Sequence, residues 1–196
     1  MKEVNYSKVD NSEKKKKFYV IFMGLFIISI MVFSTIYYGL SDDTQSEVEY
    51  QGLKFIESSS GWMTYVNNNE KLVILSNPED LDSVEFNEVD FDSMKSNSKI
   101  YVSFNPYDNS NNALYDLDRS GLLSMQIYVT CYEDNDKCSE LPIKTCDDAV
   151  QGTGVVVIKL SNETKVSLNN NCLTIEGKDL LKIVDKFIVD QYGERF

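Results

Sequence analysis

The sequence predicts an α+β protein. One N-terminal transmembrane helix precedes a mixed-sheet domain of about 7–8 strands and 2–3 helices, closed by a C-terminal amphipathic helix and stapled by disulfides. Three observations carry that prediction. Phe18–Leu40 runs for 23 residues without a charge. From Glu49 onward, short β-branched and aromatic runs alternate with turn residues and with helical patterns. All four cysteines, Cys131, Cys138, Cys146 and Cys172, lie beyond the apolar run.

At about 1.5 Å per helical residue the apolar run reaches roughly 34 Å, enough to cross a hydrocarbon core of about 30 Å. Only a helix satisfies its own backbone groups in lipid, so the inserted segment is helical. Residues 1–17 carry six lysines against three acids, and Asp42-Asp43 opens the other side. Lysines against one end of a span hold that end in the cytoplasm. Phe18, Tyr19, Tyr37 and Tyr38 suit the two interfacial belts. A cleaved signal peptide has a shorter apolar region, about 7–15 residues, and a small-residue cleavage site; Tyr37-Tyr38-Gly39-Leu40 is a poor one, so an uncleaved signal anchor is expected. Gly24, Ser29 and Ser34 recur every five residues rather than every four, so no dimerising face is expected in the span. The organisation read from the chain is therefore a basic cytoplasmic tail (1–17), a transmembrane helix (18–40), an acidic stalk (41–48) and an extracytoplasmic domain (49–196).

Within that domain, Gly52–Glu57 and Trp62–Val66 read as strands flanking a Ser-Ser-Ser-Gly turn, with Lys71–Ser76 a third strand after the Asn67–Glu70 turn. Asn77 then caps a short helix with Pro78 at its first position and Glu79 and Asp80 near its N-terminus. Val84–Ser98 reads as one short strand plus loop. Lys99–Asn105 is a strand ended by Pro106, and Asn109–Ser120 a helix with Ala113, Leu114 and Leu117 on one face. Leu122–Cys131 returns as a strand, and Tyr132–Gly154 is an irregular connection. Val155–Leu160, Lys165–Leu168 and Cys172–Glu176 extend the sheet. The terminal helix, Gly177–Tyr192, carries Leu180, Val184, Phe187, Ile188 and Gln191 on one stripe, with Lys178, Lys182, Asp185, Lys186 and Asp190 elsewhere. Strand–helix–strand over 99–131, followed by further strands and a helix, has the order of a thioredoxin-like half without its C-x-x-C. Lys71–Asp80 and Lys99–Asp108 echo one another, each reading strand, Asn-Pro corner, helix; two uses of the same turn chemistry explain the echo.

Composition narrows the chemistry. Removing the six lysines and three acids of the tail from totals of 19 and 31 leaves 13 basic and 28 acidic residues beyond it, a net of −15. Such a surface repels nucleic acid and suits solubility or a basic partner. The chain has no histidine, which removes Ser-His and Cys-His nucleophiles, the usual zinc sets and the common general base near neutral pH. Four cysteines on the exported side read as two disulfides; three pairings are open, and Cys131–Cys138 with Cys146–Cys172 is favoured. The spacings lack a C-x2-C pair, so a four-cysteine metal site is not expected.

Other candidates are weighed residue by residue. Asp108–Asn112 begins like a calcium loop, but Ala113 stands at the glycine position and Arg119 where a bidentate Glu is needed. Glu133-Asp134-Asn135-Asp136 and Asp147-Asp148 read as solvated charged turns, the former with weak cation potential. Trp62, Tyr65, Tyr101, Tyr107 and Tyr115 are either an aromatic binding face or core cover. Asn162 heads an Asn-Glu-Thr sequon in a turn and is the glycosylation acceptor, in a host that glycosylates.

Tyr50-Gln51-Gly52-Leu53-Lys54-Phe55 follows the span, a strand ends Phe104-Asn105-Pro106, and Cys131, Cys138, Pro142-Ile143 and Cys146 form one run. Asn171-Cys172 and Glu176-Gly177 then lead into the terminal helix. Together these resemble uncharacterised single-span membrane-anchored proteins of small-genome archaea. The resemblance implies a shared domain and an anchor, and no activity. The expected function is a non-enzymatic, membrane-anchored binding or interaction domain of the cell envelope. It would contact the bilayer through residues 18–40 and another envelope or surface protein through its domain, with no nucleic acid, no cofactor and no metal. The alternatives are an anchored envelope hydrolase built on a carboxylate pair, and an accessory subunit of a membrane complex.

Overall fold

A computed structural model describes residues 11–40, 46–67, 69–123 and 126–193. The first ten residues of the expected tail, stalk residues 41–45, Asn68, Ser124-Met125 and Glu194–Phe196 lie outside them. So do the side chains of 11–15 and 36–40, and with them the interfacial reading of Tyr37 and Tyr38. The chain divides into two compact units, one up to Thr44 and one from Gln45.

Among the described residues the first unit is one helix, α1 (Asn11–Leu40). It begins seven residues before the apolar run, because Ser12 and the lysines that follow are compatible with helix and nothing between them breaks it. Lys16–Thr35 is long and apolar enough to cross a membrane.

The second unit is α+β with two sheets. β1 (Glu47–Tyr50), β2 (Leu53–Ser58), β3 (Gly61–Val66) and β4 (Glu70–Ile74) form an antiparallel meander. β1 is a departure from expectation, since it starts inside the segment read as stalk. Its Glu-Val-Glu-Tyr alternation puts Tyr50 in the core, and Gln51 and Gly52, both at positive φ, make the tight turn into β2. The meander leads into the short helix expected after Asn77, a 3-10 helix over Pro78–Ser83. Val84–Ser98 also differs from expectation. Among the described residues it holds no strand, only irregular chain and a 3-10 turn at Asp92–Ser96. Gln191 explains this, because its amide donates to Val89 O (3.0 Å) and accepts from Phe91 N (3.3 Å), filling the backbone needs a neighbouring strand would otherwise meet.

β5 (Lys99–Phe104), β6 (Gln126–Cys131), β7 (Thr153–Leu160), β8 (Lys165–Asn169) and β9 (Cys172–Gly177) make the second sheet, in the order β6-β5-β7-β9-β8. Neighbours are parallel except for the β8–β9 hairpin. The βαβ start is present, but β7 is inserted between β5 and the terminal hairpin and runs parallel to β5 and to β9, so the sheet is not a thioredoxin-like half.

α2 (Asn111–Arg119) and α3 (Leu180–Tyr192) pack together on one face of this sheet, and α2 also meets β4. One core joins both sheets through the helices. Phe55 and Ile74 of the meander, Val156 and Ile175 of the second sheet and Phe187 of α3 all belong to it. Phe91 meets Phe187 edge-to-face at 5.7 Å, worth about 0.5–1.5 kcal/mol beyond its burial. Ile183 and Val189 are buried too, so α3 is covered over most of its circumference rather than along one stripe. The sheet's other face, with Val155 and Val157, is covered by Tyr132 and Ala149 of the cysteine-bearing connection. That cover is why β7 is buried on both faces.

Candidate functional site

Four cysteines staple the connection to the sheet. Cys131 bonds to Cys138, and Cys146 to Cys172. Between the two bonds, Ser103, buried on β5, meets Thr130 Oγ1 at 2.6 Å and donates to Lys144 O at 2.7 Å. The connection is thus held to the sheet by covalent bonds and by satisfied buried polar groups.

The carboxyl ends of the parallel strands are where such sheets place ligands, most of all where successive connections leave in opposite directions. Here that point lies between β5 and β7. Asn105 Oδ1 accepts from Tyr107 N (3.0 Å) and Asn77 Oδ1 from Glu79 N (3.1 Å), so the two Asn-Pro corners are the same Asx turn. Asp108 accepts from the Tyr132 hydroxyl (2.7 Å) and from Leu160 N (3.0 Å), tying together the ends of three strands. Burial, and then the bond to Asp108, push the Tyr132 hydroxyl well above its ordinary pKa. Asn105 donates to Glu133, and Tyr107 donates to Asp136 at 2.6 Å. Asp108, Glu133 and Asp136 at this corner are each engaged by protein donors. Among the described residues no cluster of three or more Asp, Glu, Cys or His is placed to hold a metal. Asp148 accepts from Lys144 (2.7 Å) and Thr145 N (2.9 Å), and Lys144 holds its carboxyl below the usual range. A hollow of about 280 Å³ beside the Cys146–Cys172 bond is lined by Tyr132, Asp147, Val157, Lys159 and Thr174.

The five aromatic residues are not gathered into one face. Trp62 is in the core, Tyr101 half-buried, and Tyr65 on β3, Tyr107 in the turn after β5 and Tyr115 on α2 are exposed. Asn162 sits exposed in the bend between β7 and β8.

Two features escape the sequence. The first is a carboxyl pair, Asp116 of α2 and Asp185 of α3, both fully buried. Asp116 accepts from Leu75 N (2.7 Å) and Asp185 from Ser76 N (2.8 Å), just where β4 has ended and these N–H groups have lost their ladder. Arg119 Nη2 lies 2.7 Å from Asp116 Oδ1. Asp185 Oδ1 meets no donor among the described residues. Burial first, then the hydrogen bond and charge of Asp116, push Asp185 up to about 8. Asp185 reads as polar-face in the helical pattern, and it becomes interior because α2 and the chain at Ser76, just beyond β4, pack against this part of α3. The second feature is an apolar groove of about 390 Å³ between α2 and the edge strand β6, floored by Val102, Ile127 and Val129 and walled by Leu114 and Tyr115.

What fold and site define is an α+β domain with two disulfides, a polar corner closed on itself, and an open apolar groove at a sheet edge, preceded in sequence by one apolar helix. Compared with known families, with curated proteins and with solved structures, the chain matches none.

Proposed function

We propose that the chain is a single-span, membrane-anchored interaction domain facing out of the cell, without enzymatic activity of its own. The observation that supports this best is α1, whose segment Lys16–Thr35 is apolar and long enough to span a bilayer, in one chain with a domain whose four cysteines are paired. Disulfides persist in oxidising compartments, and lysines at the start of the span favour a cytoplasmic N-terminus. The rival reading, a carboxylate hydrolase, finds its candidate pair in Asp116 and Asp185, but both are sealed from solvent, and neither lines the groove or the hollow.

The test is a protease site inserted after Asp43 in the full chain, with tags at both ends. Carbonate-washed membranes should retain the chain. Protease added to intact cells should release the C-terminal tag and leave the N-terminal one in the membrane. Loss of the chain on washing, or protection of the site, overturns the reading.

A further inference from the structure

The second sheet ends in two edge strands, β8 on one side and β6 on the other. At its C-terminal end Cys131 already pairs outward, its N–H donating to Pro142 O (3.0 Å) and its carbonyl accepting from Lys144 N (2.8 Å). This is one parallel bridge, to Ile143. Backbone groups of alternate residues point to the same side of a strand. The outward groups on the rest of the edge therefore belong to Ile127 and Val129, and no described residue bonds to them there. Val129 is 53% exposed and Tyr115, across the groove, 57%. Soluble domains blunt open edges with charge, proline or a bulge. Gln126–Cys131 contains neither a charge nor a proline, and its register with β5 is unbroken.

We infer that β6 and the α2 groove take an extended segment of a partner polypeptide, added as the next strand of the sheet. The backbone of Ile127 and Val129 supplies the ladder. Alternate apolar side chains of the segment fill the groove beside Leu114 and Tyr115, while Pro142–Lys144 marks where the added strand stops. The partner's flanks are basic, because Asp118 borders the groove and the chain beyond the span carries a net −15. The same charge disfavours a second copy of this chain as occupant. This deepens the interaction reading and rests on it, but the readout is local to β6, so its failure is separable from failure of the anchoring test.

The probe is a peptide of six alternating valines and threonines flanked by lysine pairs, added to the full chain in nanodiscs and read by amide exchange over 122–131. Exchange at Ile127 and Val129 should slow at least about tenfold at saturation. Val129→Pro removes an outward donor and no ladder bond, as edge strands tolerate, and should abolish the slowing. Tyr115→Ala, an exposed groove wall, should weaken the peptide about tenfold, and a glutamate-flanked peptide should bind about tenfold more weakly at low salt. No slowing with the lysine peptide, slowing kept in both variants, equal binding of the two peptides, or protection growing with protein concentration alone each overturns the inference. The last would assign the edge to a second copy.

Discussion

At the scale of single residues, the pair Asp116–Asp185 makes stability depend on pH in an unusual direction. Folded Asp185 holds its proton to about pH 8, whereas unfolded it would release it near 3.8. Between those values the folded state binds more protons, so the stabilisation is complete below about pH 4 and is lost as pH rises through about 8. The melting temperature should therefore fall from pH 5 to pH 8.5. Asp185→Asn, which keeps the shape and cannot ionise, should flatten that slope while preserving the fold. An unchanged slope would place the titrating proton elsewhere. Asp148, held low by Lys144, acts in the opposite sense, below about pH 4 and at a solvent-facing site, so the two effects occupy separate windows. Nothing in the pattern of α3 could reveal this pair. A carboxylate between Val184 and Lys186 reads as solvent-facing until the end of β4 is placed over it.

At the scale of elements, the meander hangs on one turn. Gly61 has φ +120°, and a Cβ there would stand 2.3 Å from the carbonyl oxygen of Ile74. Gly61→Ala should cost about 2–4 kcal/mol in chemical denaturation, strain and clash together. Gly152→Ala, at φ +79° in nearly open space, should cost only about 1 kcal/mol. The disulfides differ by loop length. Removing Cys146–Cys172, 26 residues apart, should cost about 3.5 kcal/mol, and removing Cys131–Cys138, 7 apart, about 2.5 kcal/mol. Elements whose signal is local were legible in the chain. The strands at 99–104, 153–160 and 172–177, the terminal helix and the Asn-Pro corners all announce themselves through β-branched runs, periodicity or Asx chemistry. Elements decided by tertiary partners were not. Glu47–Tyr50 is too short and too acidic to read as a strand without β2 beside it. Val84–Ser98 looks strand-like because its Val, Phe and Val residues pack on the core, while its backbone is met by Gln191 from 100 residues away. The groove was illegible for the same reason, since α2 and β6 each present ordinary half-buried faces and the site exists only between them.

At the scale of the whole molecule, compartment and charge belong to one argument. The paired cysteines all follow α1 in sequence, whereas the lysine run lies at its start, and the acidic excess follows α1 too. A reducing cytosol would keep these thiols open, and the connection 132–152 would then rest on the sheet with fewer constraints. Cells are therefore opened without reductant and the membranes alkylated at once; the full chain is then denatured and its mass measured. The expected result is no alkylated cysteine among the four. A parallel sample reduced before alkylation should take four labels and, refolded, should melt well below the oxidised protein, by 10 °C or more for a combined loss of about 6 kcal/mol. Four labels without reduction would put the domain in a reducing compartment. That would reverse the proposed orientation and move the search for a β6 partner to the cytoplasm, where a basic flanking segment would face nucleic acid as its competitor for the same charge.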